Sequence, residues 1–140
     1  MIRKLRNEDI EKVMKIWKDS TIKAHDFISK EYWKNNYDVV KNTYIPMSET
    51  FIYEIENKIK GFISVINNEF IGALFVDINC QGLGVGSELI NYVVKEYNKL
   101  SLAVYKENKN AVEFYISKGF KIIKEQRDEE TGAIEYIMSI

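Results

Sequence analysis

Apolar and polar positions along this chain switch between two periods. Ile2 to Leu5 reads as a short strand. Asn7 is a fair N-cap, and Glu8 and Asp9 suit the positive end of a helix. Ile10, Val13, Met14, Ile16 and Trp17 then give a helical stripe to about Ser20. Ser29 can cap a second helix from Lys30, with Trp33, Tyr37 and Val40 on its apolar face. That helix should fail near Thr43 to Pro46, because proline disfavours helix before it. From Thr50 the period becomes two. Phe51, Tyr53 and Ile55 alternate, Asn57-Lys58 turns the chain, Gly61 to Ile66 pairs back, Asn67-Asn68 turns again, and Glu69 to Asp77 completes a meander.

The helical period returns from Ser87 to Tyr97, with Leu83, Val85, Leu89, Ile90, Val93, Val94 and Tyr97 as apolar positions. Leu100 to Val104 is the next strand. Asn108 or Asn110 caps a helix to Lys118, which Gly119 stops. Lys121 to Arg127 and Ala133 to Ser139 close as a hairpin through Glu130-Thr131-Gly132. With no repeat, linker or low-complexity tract, residues 1–140 are expected to form one mixed α/β domain.

Between the strand ending at Val76 and the helix from Ser87 lies Gln81-Gly82-Leu83-Gly84-Val85-Gly86. Strand, glycine-rich turn and helix together expose free backbone N–H groups at a helix N-terminus, a seat for phosphate. Spacing separates the alternatives. A Walker A loop needs Lys-Ser or Lys-Thr after its last glycine, and Ser87-Glu88 stands there. A dinucleotide fingerprint needs a third glycine where this chain has Ser87. It also needs an acidic residue about 20 positions on, where Leu102 to Val104 are apolar. The pattern Gln/Arg-x-x-Gly-x-Gly/Ala is met by Gln81, Gly84 and Gly86.

That pattern resembles the acetyl-CoA loop of the GNAT superfamily of N-acetyltransferases. Two flanking blocks are similar to the same family. Ala73-Leu74-Phe75-Val76-Asp77 resembles its Leu-Phe-Val strand. Val104, Asn108, Ala111, Phe114, Tyr115, Gly119 and Phe120 match its Val-to-Gly-Phe block in residue and spacing. Ile16-Trp17 and Ala24-His25-Asp26-Phe27-Ile28 resemble a subgroup of small bacterial members. The resemblance implies a GNAT fold: a central, mostly antiparallel sheet with splayed strands, flanked by about four helices. It implies transfer of an acetyl group from acetyl-CoA directly to a primary amine on a small molecule, a peptide N-terminus or a lysine.

Residue by residue, the resemblance implies that backbone groups of Gln81, Gly82, Leu83, Gly84, Val85, Gly86 and Ser87 meet the pyrophosphate. Leu74, Phe75 and Val76 would pair with the pantetheine arm. A main-chain N–H near Phe75 or Val76 would polarise the thioester oxygen. Asn108 and Ala111 would lie along the arm, and Tyr115 would protonate the departing sulfur. The proton acceptor stays open among Glu69, His25 and Asp26. Trp17, Phe27, Trp33 and Tyr37 are candidate walls of the acceptor region. Cys80 reads as a small loop residue rather than a nucleophile.

Composition narrows the picture further. One Cys excludes an internal disulfide, and one His with one Cys makes no zinc site, so no metal is expected. A net charge of −1, with lysines and acids interleaved, gives no electrostatic case for nucleic acid. No apolar stretch spans a bilayer and the start lacks a signal-peptide core, so a cytoplasmic monomer or homodimer is expected. The rival from another class is a non-catalytic acyl-CoA-binding module of the same fold. A nicotinamide or flavin oxidoreductase is disfavoured by the loop spacing.

Overall fold

The computed structural model describes residues 1–140. Its centre is one seven-stranded sheet in the order β1-β2-β3-β4-β5-β7-β6. The strands are β1 (Ile2–Lys4), β2 (Ser48–Ile55), β3 (Lys58–Ile66), β4 (Phe70–Val76), β5 (Ser101–Tyr105), β6 (Lys121–Arg127) and β7 (Ile134–Ser139). Every neighbouring pair is antiparallel except β4–β5. Alternation along the strands sends side chains into two cores, one on each sheet face. On one face α1 (Ile10–Ala24) and α2 (Lys30–Val39) pack Val13, Met14, Trp17 and Trp33 against Ile52 and Phe62. On the other, α4 (Val85–Glu96) and α5 (Lys109–Ser117) pack Leu89, Ile90, Val112 and Tyr115 against Phe51, Ile63, Leu102 and Val104.

The turns follow from residue chemistry. Asn67 and Asn68 both take positive φ, as do Glu56 and Asn57, the mirror-image turn that matches strand twist. Ser29 caps α2 by accepting from the Glu31 N–H at 3.2 Å. Asn108, rather than Asn110, caps α5, and Gly119 is left-handed at φ +97°. Several boundaries differ from the sequence expectation. Helix α1 runs on to Ala24 because Ser20 and Thr21 are buried and bonded rather than solvated. Beyond Val39 the helix widens into a π segment, Val40–Tyr44, and a last turn α3 (Ile45–Met47) that contains Pro46. Proline lacks the N–H for an i→i−4 bond and crowds that carbonyl, and a wider turn relieves both. Leu83, expected on the apolar stripe, is 76% exposed, since α4 begins only at Val85.

One irregularity shapes the middle of the sheet. In the β3–β4 ladder Ser64 faces Ala73 and Val65 faces Ile71, so Gly72 is an extra, bulged residue. Past that bulge β4 leaves β5. The two strands pair only at Phe70–Ser101, with the Ser101 N–H donating to Glu69 O at 2.9 Å. Their C-terminal ends stand apart, which leaves a V-shaped gap in an otherwise continuous sheet.

Candidate active site

The gap opens into two connected hollows. The wider, about 650 Å³, runs from β4 across the glycine turn to α5 and α1. The narrower, about 260 Å³, lies between the parted strands. They share Leu74, Phe75, Asn108, Ala111 and Tyr115, so both meet at the splay.

At the outer end of the wider hollow, Gly84 caps α4 in the left-handed region, φ +87°. The first helical bond at this end is Glu88 N–H to Gly84 O, 3.1 Å. None of the seven N–H groups from Gln81 to Ser87 donates to another residue, and the α4 dipole adds partial positive charge there. Free backbone N–H groups at a helix N-terminus are of the kind that can receive an anion. Gln81 spends its side chain on Val76 O at 3.2 Å, closing the loop on the strand it follows. Leu83 contributes only its backbone, since its side chain faces water.

Along β4 the two-residue alternation decides which amides face the gap. Asp77 N–H donates to Lys60 O on β3 at 2.8 Å. Phe75 and Ala73, two and four residues back, share that orientation, whereas Leu74 and Val76 turn their backbone groups towards β5. The expectation of a free N–H at Phe75 is therefore corrected: its backbone is turned into the β3 ladder. Val76 O also accepts from Ser20 Oγ at 2.9 Å, which pins α1 to the end of β4.

Helix α5 presents Asn108, Ala111 and Tyr115 on one stripe (i, i+3, i+7), all lining the gap. Tyr115 is held between the rings of Phe114 and Phe120, with centroids at 5.4 and 5.7 Å. Its hydroxyl has no hydrogen-bond partner in the protein, and burial pushes its pKa well above the ordinary phenol value. It stays protonated, with a donor to spare.

His25, one of the candidate proton acceptors, is buried and lines the narrower hollow. Its Nδ1 lies 2.9 Å from Thr21 O, and a carbonyl can only accept, so Nδ1 carries the proton. Asn108 Oδ1 accepts from the Ala111 N–H at 3.4 Å, which leaves Asn108 Nδ2 to donate to His25 Nε2 at 3.3 Å. The ring is neutral with its lone pair on Nε2, and burial lowers its pKa. A depressed pKa means that the unfolded chain binds the proton more readily. Stability is thus kept above the free-histidine value of about 6.5 and lost as pH falls through the lower folded value. Melting curves recorded from pH 7.5 down to pH 5 should show this loss, and His25→Gln should flatten it. Parallel slopes for the two proteins would refute the assignment.

Glu69 lies elsewhere. It precedes β4 at the closed apex of the V, about 20 Å of extended strand from Phe75, and lines neither hollow. Its alignment along the strand, not its chemistry, removes it from the gap. Asp26 is exposed and also lines neither hollow. Trp17 and Trp33 do wall the narrower hollow. Phe27 packs edge-on against His25 and Tyr105, and Tyr37 against Trp17.

Several lining residues carry no motif and escape sequence reasoning. Ser20, Lys23 and Ala24 reach the wider hollow from α1, because three-dimensional packing lays that helix across the end of β4. Tyr105 and Glu135 reach the narrower one, because β7 inserts between β5 and β6. No group of three or more His, Cys, Asp and Glu is arranged to hold a metal ion. No helix is long and apolar enough to cross a membrane.

Free N–H groups at a helix N-terminus, a parted pair of strands and a phenol at their junction are the parts that acyl transfer from a phosphorylated thioester calls for. The chain belongs to the GNAT acetyltransferase family: residues 11–139 match the family described as acetyltransferase (GNAT) domain. It is similar to the peptidyl-lysine N-acetyltransferase YiaC of Escherichia coli K12, with 31% identity over 139 residues, covering 99% of this chain and 95% of YiaC. The solution structure of apo YjaB from Escherichia coli superposes with a TM-score of 0.86 at 28% identity, covering 99% of this chain and 95% of that one. PaiA N-acetyltransferase from Thermoplasma acidophilum, solved with coenzyme A, shares the fold at a TM-score of 0.80 and 19% identity, with 99% of this chain and 96% of that one covered. The protein is an acetyl-CoA-dependent N-acetyltransferase.

Proposed function

We propose that this enzyme moves the acetyl group of acetyl-CoA directly onto the side-chain amine of lysine in a peptide or protein. The observation that carries this reading is the β4–β5 splay, with an anion seat at one end and a tryptophan-walled hollow at the other. Peptidyl-lysine acetylation is the activity named for YiaC and YjaB, each matched over more than nine-tenths of this chain.

Roles follow from position. The N–H groups of Gln81 to Ser87 hold the pyrophosphate, with the Ser87 hydroxyl beside them. Gly86 supports this assignment. Its φ is ordinary and an added Cβ would lie 3.7 Å from Phe114 and Val76, a normal contact, so the fold alone does not demand glycine there. Room for a diphosphate does. Val76, Asn108 and Ala111 line the path of the pantetheine arm, and Leu74, one pleat deeper, offers its N–H to the thioester oxygen. The amine nitrogen attacks the carbonyl carbon, and His25 Nε2, released as Asn108 Nδ2 turns to the pantetheine amides, takes the proton it sheds. The C–S bond breaks as Tyr115 gives its proton to the sulfur, yielding an amide and free thiol. Glu69 and Cys80 have no part in this scheme.

The test is acceptor-dependent thiol release. A lysine-containing peptide blocked at its N-terminus should release thiol in proportion to acetyl-lysine counted by mass spectrometry. It should do so faster than free polyamines or a peptide offering only an N-terminal amine. Thiol release that no amine accelerates would leave a coenzyme-binding module instead.

A further inference from the structure

We infer that Glu135 is the ammonium-binding residue of the acceptor hollow, so that the enzyme selects cationic alkylamines over neutral chains of the same shape. The inference rests on the transfer reading above and assigns a residue that no motif marks.

Glu135 sits on β7 with its Cα opposite Tyr105 of β5. Paired residues of an antiparallel ladder project to the same face, and this face carries His25 and Trp33, beside which Tyr105 packs at 5.2 and 6.4 Å between ring centroids. Among the residues that line the narrower hollow, Glu135 is the only one with a carboxylate. Gln126 Nε2 donates to its Oε1 at 2.7 Å, while Oε2 has no protein partner and no lysine or arginine lies within ion-pair distance.

The nearby acids are already engaged. Asp128 accepts from the Tyr105 hydroxyl at 2.8 Å and Glu130 from the Tyr32 hydroxyl at 2.6 Å. Those bonds fix the Tyr105 ring of the wall and the Tyr32 ring packed on Trp33, and leave Glu135 with the open acceptor. A half-buried carboxylate without a cation is electrostatically incomplete. Aromatic faces beside it favour an ammonium ion further. The open Glu135 Oε2, set among aromatic rings, fits an alkylammonium group.

The sequence of events is then simple. Glu135 holds the charged amine at the mouth of the splay. The ammonium gives one proton to solvent water there, and the neutral amine moves in to attack, losing its second proton to His25 Nε2. Glu135 therefore acts on acceptor affinity more than on the chemical step.

Calorimetry of the CoA-loaded enzyme with two peptides tests this without turnover. One peptide carries dimethyl-lysine, cationic but closed to acetylation, and the other carries norleucine at that position. The wild-type enzyme should prefer the cationic peptide at least tenfold. Glu135→Gln, which keeps shape and the Gln126 contact, should erase most of that preference while norleucine binding stays put. Glu135→Asp should restore part of it. In turnover with the lysine peptide, Glu135→Gln should raise KM about tenfold with a much smaller change in kcat. Equal cation preference in wild type and Glu135→Gln overturns the inference and leaves the transferase reading intact. The expected loss of preference, in a protein that acetylates no amine, supports Glu135 and removes the transferase reading.

Discussion

Tyr115→Phe should lower kcat about a hundredfold, roughly 2.7 kcal/mol of transition-state stabilisation, with acetyl-CoA affinity changed less than twofold. The hydroxyl that is deleted bonds to nothing in the protein, so the folded state loses no partner and the melting temperature should hold. The ring stays clamped by Phe114 and Phe120. What disappears is the donor at the junction of the two hollows. Burial raises the phenol pKa, which by itself weakens an acid. The departing thiolate is desolvated in the same place, and its own proton affinity rises too, so the transfer remains matched. Single-turnover rates together with equilibrium binding check the prediction. An unaltered kcat would mean that water protonates the sulfur.

Gly84→Val should weaken acetyl-CoA binding by roughly a hundredfold. At φ +87° a β-branched residue is an outlier that costs about 1–3 kcal/mol. An added Cβ would meet no protein atom within 4 Å, so crowding inside the fold is not the cause. To escape the strain the chain must leave the left-handed region, and that turns the N–H groups of Val85, Gly86 and Ser87 away from their common focus. Calorimetry against acetyl-CoA measures the loss, and far-ultraviolet circular dichroism should show α4 intact. Binding within threefold of wild type would mean that the loop is a plain turn.

How much of this was legible in sequence depends on how local each feature is. Gly84, Asn108, Gly119 and the Asn67-Asn68 turn act on backbone within a few residues, and their chemistry predicts their geometry. The splay was implied by resemblance, but its physical origin, the bulge at Gly72, depends on register against β3. Tyr115 carried a recognisable spacing. Its unpartnered hydroxyl did not, since pairing is a property of the assembled core. Glu69 illustrates the opposite failure: a residue of fitting chemistry close in sequence to β4, yet set at the closed apex by strand direction. Glu135 was invisible because the insertion of β7 between β5 and β6 is a non-local choice, and a lone glutamate in a polar hairpin reads as solvated surface. His25 looked like a loop residue until helix α1 extended a full turn beyond its expected end.

That longer α1 has a consequence for anyone redesigning this enzyme. Consecutive residues on it serve opposite ends of the reaction: Ser20 grips the carbonyl of Val76, and Thr21 orients the His25 imidazole. A helical turn is too stiff to let one neighbour shift without the other. Retuning acceptor choice from this helix will therefore perturb thioester alignment, whereas the far bank, β7, offers variation that leaves the coenzyme undisturbed.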